Sequence, residues 1–189
     1  MRFEQRVNQI LEQIGSVPPP PPAIIQKAED NSLSFTDIFN FIKQHEGYRP
    51  AVYMDTVGKP TVGIGLNLKR QDAPAIVTSA GANYQNVLNG TQQLTDEQIK
   101  SIFKTTIAIA YADAKKYIPK YDSLPKNIKL AILDLSFNLG YTNLSKFVKL
   151  KQAIERNDYK SAAGELTNSK WATQVGNRAK NLINLFLTS

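Results

Sequence analysis

Apolar positions along this chain follow a helical period, then an alternating one, then a helical one again. From Phe35 to Glu46, the residues Ile38, Phe41, Ile42 and His45 recur at helical spacing behind Ser34, a residue type that caps helix N-termini. Gly47 suits the left-handed conformation that closes a helix. After Pro50 the order alternates. Val52 and Met54 face one way and Tyr53 and Asp55 the other, until Thr56-Val-Gly-Lys-Pro60 supplies turn chemistry. A second strand is predicted from Thr61 to about Leu66, with Thr61, Gly63 and Gly65 on one face. Two glycines there leave the backbone bare where a bulky ligand could approach.

Helical spacing then returns. Asp72 to Ser79 reads as a short helix, and Gly81 to Gln93 as a polar connection with room for a third strand or a loop. Thr95 and Gln98 form a capping box that opens a long helix through Ile99, Ile102, Phe103, Thr106, Ile107 and Ala110 towards Tyr117. Residues 126–139, 143–156, 158–167 and 177–187 read as further helices, so the expected fold class is α+β with helices dominating. At the other end, Phe3, Val7, Ile10, Leu11 and Ile14 make residues 2–14 a short amphipathic helix. Pro18 to Pro22 follow as a polyproline II spacer, about 15 Å long at ~3.1 Å per residue. So short a helix is marginal alone in water, so it should dock on the rest of the chain or on a partner. The expected organisation is an N-terminal helix and linker over residues 1–34 and a separate folded domain over 35–189.

Candidate chemistry lies where the period changes. Glu46 falls in the last helical turn, where the negative end of the helix dipole suits a carboxyl that keeps its proton. Asp55 and Thr61 sit on the two arms of the predicted hairpin, and the Thr61 hydroxyl can hold a water near Asp55. One protonated carboxyl, one ionised carboxyl and a positioned water are what hydrolysis of a glycosidic bond requires.

Composition narrows the alternatives. The chain of 189 residues has no cysteine and one histidine, which removes disulfides, thiol nucleophiles and a His-rich metal site, so no metal or organic cofactor is expected. No apolar run approaches the roughly 20 residues needed to span a bilayer, and the polar start Met1-Arg-Phe-Glu lacks the apolar stretch of a secretory signal. A target outside the cytoplasm is therefore expected to be reached by a route other than general secretion. The net charge of +7 is lopsided: residues 1–94 hold 8 Lys+Arg and 8 Asp+Glu, residues 95–189 hold 15 and 8. A basic C-terminal half favours an anionic polymer. Peptidoglycan with its associated phosphates fits; nucleic acid would fit on charge alone and is not the expected partner.

The order Glu46, Asp55, Thr61, Gly63-Ile-Gly65 closely resembles the phage T4-type lysozyme family of muramidases, also found as phage endolysins and tail-associated lysozymes. The resemblance continues through Leu94-Thr-Asp-Glu-Gln98, Phe137-Asn-Leu-Gly140, Ser169-Lys-Trp171 and Asn177-Arg-Ala-Lys180, and spans roughly residues 35 to 187. It implies a small mixed lobe joined by a long helix to a larger helical lobe, with Glu46 at the base of a cleft between them. It further implies that Glu46 is the catalytic acid, Asp55 the second carboxylate and Thr61 the water-positioning residue, with Asn67, Phe137 and Asn138 as substrate contacts. Inversion at the anomeric carbon is implied too, with carboxyls about 6.5–9.5 Å apart. Four positions depart from the pattern: Leu66 replaces a structural histidine, Asn138 a glutamine, Asn67 a leucine and Glu165 an asparagine.

Two other classes compete. A lytic transglycosylase needs a single acid and no water, against which stand Asp55 and Thr61. A non-catalytic wall-binding module needs only the basic half and the N-terminal helix, against which stands the complete set of three. Trp171 reads as core, and Asn177 and Arg178 as helix-capping or bridging residues. A phage structural or export partner is expected to engage residues 1–34.

Overall fold

The computed structural model describes residues 32–189, so the predicted helix over 2–14 and the proline spacer lie outside the described residues. Helix α1 (Phe35–Glu46) buries Ile38 and Ile42. Phe41 and His45, at the edge of that stripe, meet edge to face at 4.7 Å. Gly47 closes the helix with φ +80° and donates its N–H to the Lys43 carbonyl at 2.9 Å.

The chain then forms a three-stranded antiparallel sheet, β1 (Arg49–Met54), β2 (Pro60–Gly63) and β3 (Leu66–Asn67), in the order β1-β2-β3. The single strand expected from Thr61 to Leu66 is instead two strands folded on one another. Gly63 (φ +66°) and Gly65 (φ +71°) are in left-handed conformations open to glycine, and the chain reverses at Ile64-Gly65. Thr61 thus pairs with Tyr53 on one side and Asn67 on the other. The alternation read in β1 is broken by an irregularity between Arg49 and Tyr53, and Met54 is exposed. Leu66, which stands in place of a histidine in the family pattern, is buried in the core.

Helices α2 (Ala73–Ser79) and α3 (Tyr84–Leu88) follow. Asn83 caps α3 by accepting from the Asn86 N–H at 3.0 Å, within the segment read as a loop or third strand. The capping box forms as expected: Thr95 N–H donates to Gln98 Oε1 at 3.0 Å and Gln98 N–H to Thr95 Oγ1 at 3.2 Å, opening α4 (Asp96–Tyr117).

The described residues divide into two compact units, one from Thr36 to Ala108 and one that includes Ile109–Ser189; the division falls within α4. In the first, Ile42, Val62, Leu68, Val87 and Ile99 are wholly buried. The second holds a 3₁₀ turn (Tyr121–Ser123), α5 (Lys126–Leu144), α6 (Val148–Glu155), α7 (Tyr159–Thr167), α8 (Lys170–Val175) and α9 (Asn177–Leu187). Helix α5 is interrupted at Gly140, whose φ of 64° and ψ of 164° no helix contains. Helix α9 packs on α7 and α5, and α6 on α7. The architecture is α+β and lysozyme-like, as the sequence indicates.

Candidate active site

Glu46 is the last residue of α1 and is half-buried. Its carboxyl lies directly on the backbone of Gly65: a Cβ at that position would fall 2.7 Å from Glu46 Oε2 and 3.0 Å from its Cδ. The bare glycine face expected to admit a ligand therefore seats the acid itself. Gly63 serves the core instead, its missing Cβ pointing at Ile99, 3.7 Å away, and Leu94.

Asp55 opens the turn between β1 and β2. Its Oδ1 accepts from the N–H groups of Val57 (2.9 Å) and Lys59 (2.8 Å), which fixes the side chain by main-chain donors alone. Thr61 is 4% exposed, and its hydroxyl donates to the Lys59 carbonyl at 3.1 Å. That same carbonyl accepts the Asp55 N–H at 2.9 Å. Asp55 and Thr61 are thus held on the two peptide groups of one residue, Lys59. With its proton directed to Lys59, the Thr61 oxygen is left as an acceptor towards a water. Asn67, across from Thr61 on β3, is half-buried and accepts the Lys69 N–H at 2.8 Å.

Sequence reading passed over two members of this neighbourhood. Tyr53 lies directly across from Thr61, so the two side chains share a face of the sheet, and the Arg49 guanidinium sits 5.1 Å from its ring centre. Burial raises the Tyr53 hydroxyl above its usual range, the Glu46 and Asp55 charges add to the rise, and Arg49 opposes it. Tyr53 therefore keeps its proton near both carboxyls; its place on the Asp55 side of the alternating run was the available signal. Lys59 contributes only main chain, for which no side-chain signal exists.

The remaining predicted residues lie in the other unit. Phe137 and Asn138 are on α5, the first half-buried and the second exposed. Asn138 Oδ1 accepts the Trp171 indole N–H at 2.8 Å, which leaves its amide N–H groups as its outward chemistry. Trp171 is buried, as expected of a core residue. Arg178 Nε reaches Asp134 Oδ1 at 2.7 Å, with Arg178 8% and Asp134 0% exposed, so Arg178 bridges α9 to α5. Glu165 is exposed on α7.

A lysozyme-like α+β fold that brings a helix-terminal glutamate, a turn-capping aspartate and a buried threonine onto one small sheet has counterparts among known proteins. The phage lysozyme family model matches residues 43–185. Probable T4-type lysozyme 2 of Dictyostelium discoideum is 32% identical over 157 residues, covering 79% of this chain and 92% of that protein. Probable T4-type lysozyme 1 of the same organism is 25% identical over 162 residues, or 81% and 95% of the two chains. The pre-baseplate central spike protein Gp5 of Enterobacteria phage T4 is 25% identical over 154 residues, 78% of this chain but 27% of that protein. The chain belongs to the phage lysozyme family.

Proposed function

We propose that this chain is a peptidoglycan-degrading endo-muramidase that hydrolyses the β-1,4 bond between N-acetylmuramic acid and N-acetylglucosamine. The observation that carries the reading is the joint anchoring of Asp55 and Thr61 on Lys59, in the same unit as a glutamate seated on Gly65. Glu46 protonates the leaving glycosidic oxygen. Asp55 and Thr61 orient and activate a water that attacks the anomeric carbon from the opposite face, with inversion. Asp55 takes the proton that the water loses and releases it to solvent, from which Glu46 regains its own. Asn67, Phe137 and Asn138 contact the glycan, and no cofactor takes part.

Residues 35–189 form the catalytic domain in this reading, and residues 1–34 a tether for a phage structural or export partner. The likeness to a central spike protein supports such a partner. Delivery to the wall by a holin, virion or secretion machine belongs to the same reading; among the described residues, no helix is long and apolar enough to cross a membrane. Deleting residues 1–30 leaves Leu33, which is buried, in place. The truncated protein is expected to stay soluble and lytic; an insoluble product would move the domain boundary.

The deciding experiment is clearing of a suspension of permeabilised Gram-negative cells, with Glu46→Gln as control and the released sugars analysed. Wild-type lysis with reducing muramic-acid ends, absent in the variant, is the expected result. Anhydro-sugar products would make the protein a lytic transglycosylase, and wall binding without release would make it a binding module.

A further inference from the structure

The residue after the acid has no side chain to pack. Gly47, with φ +80°, is tied by its N–H to the Lys43 carbonyl, and no heavy atom lies within 4 Å of where a side chain would begin, so side-chain packing does not fix the chain there. One residue further on, Tyr48 is half-buried and bracketed. Its hydroxyl donates to Asp96 Oδ1, and the Lys43 ammonium lies 4.5 Å from the centre of its ring. Asp96 stands in the first turn of α4, whose start is locked by the Thr95–Gln98 capping box. A second tie lies alongside, from the Leu94 N–H to the Pro50 carbonyl at 2.9 Å. On the other side of Glu46, Phe39 of α1 meets Phe103 of α4 edge to face at 5.2 Å. The acid is thus suspended between two fastenings to one helix, with a glycine joint inside the span.

We propose that the Tyr48–Asp96 hydrogen bond is a positioning clamp for Glu46, holding the end of α1 against the start of α4 so that the carboxyl stays on its Gly65 seat. The inference rests on the reading of Glu46 as the acid. Burial, with help from the Asp96 carboxylate, pushes the Tyr48 hydroxyl up to about 12, so the donor stays protonated across the working range of pH. The bond is on the exposed side of the unit, where it adds little to stability. Its leverage is geometric: a displacement of about 1 Å at a catalytic group can cost on the order of a hundredfold in rate.

The test is steady-state kinetics on soluble, uncross-linked glycan strands, with thermal melting alongside. Tyr48→Phe and Asp96→Ala are each expected to lower kcat about tenfold with KM within twofold of wild type, and the double variant to be no worse than either single one. Asp96→Asn, whose amide oxygen can still accept from Tyr48, is expected to recover most of the rate. Wild-type kcat in Tyr48→Phe, or rate losses that multiply in the double variant, would overturn the clamp. So would a rate loss matched by a falling melting point with no rescue by Asp96→Asn. Glu46→Gln is run in the same assay: if it stays active, the assignment of the acid has failed, whatever Tyr48 does.

Discussion

In the unit Thr36–Ala108 the Asp55 carboxyl is half-buried and rests on main chain, under the amides of Val57 and Lys59, while that of Glu46 lies against Gly65. In the unit that includes Ile109–Ser189, Asp134 is wholly buried and answered by a guanidinium, and Asp122 is gripped by Lys115 and the Tyr111 hydroxyl. The contrast separates two uses of the same functional group. A carboxylate matched by a cation belongs to the fold, and where it is buried, as Asp134 is, taking the partner away strands a charge in a poor solvent. One that is shaped by peptide groups, as Asp55 is, is held in place without a fixed counter-charge from those groups, as the proposed chemistry requires.

The sharpest way to break this comparison is to neutralise one charge at the proposed site and one in the buried pair. Glu46→Gln keeps the shape and removes the proton donor, and is expected to lower lysis by roughly a thousandfold or more with an unchanged melting curve. Activity within tenfold of wild type would take Glu46 out of its role. Arg178→Leu should behave the other way round. It leaves Asp134 buried without its cation, so urea denaturation should show a loss of about 3–5 kcal/mol. A loss below 1 kcal/mol would mean that the pair is not the brace described.

Two glycines sharpen the contrast within the sheet. Gly63→Ala and Gly65→Ala both force a side chain into a left-handed conformation, at about 1–2 kcal/mol each. Only the second puts a methyl group on the Glu46 carboxyl; the first meets Ile99 at ordinary contact distance. Similar losses of stability are expected, with a tenfold or greater loss of lysis, beyond that explained by unfolding, in Gly65→Ala alone. Equal activities would show that the seat does not matter.

The smallest effect lies at Asp122. Burial would raise this carboxyl, but the hydrogen bonds from Lys115 and Tyr111 outweigh it and hold it below the usual carboxylate range. A group depressed on folding adds stability above its unfolded pKa and loses that contribution as pH falls through its folded one. Its side chain is 58% exposed, so solvent screens the pair and about 0.5 kcal/mol is expected. Wild type should exceed Asp122→Asn by that margin at neutral pH, and the gap should close below pH ~4. A gap that persists in acid would assign the effect to packing.

Much of the candidate site was readable because it is written in residue types. A glutamate ending a helical run, and an aspartate and a threonine flanking turn residues, stand where the structure puts them. The long helix and its capping box were readable for the same reason: Thr95 and Gln98 are each other's partners along the chain. What escaped is either too short for a period or not a side chain at all. Helices α3 and α8 span 5 and 6 residues, under two turns, and periodicity has nothing to act on there. Alternation makes Thr61 to Leu66 read as one continuous strand, whereas the φ values of Gly63 and Gly65 turn the chain.

Lys59 carries a practical consequence. What this position gives the site is an N–H and a carbonyl, while its side chain is exposed. Any residue with a main-chain N–H can therefore occupy it, and proline, which has none, is the substitution to avoid. The position is a natural attachment point: a cysteine placed there, in a chain with no other thiol, would take a small fluorophore at a single site. Such a dye would sit beside Asp55 and Thr61, where it could signal the arrival of a glycan strand at the proposed site without altering the hydrogen bonds of the turn.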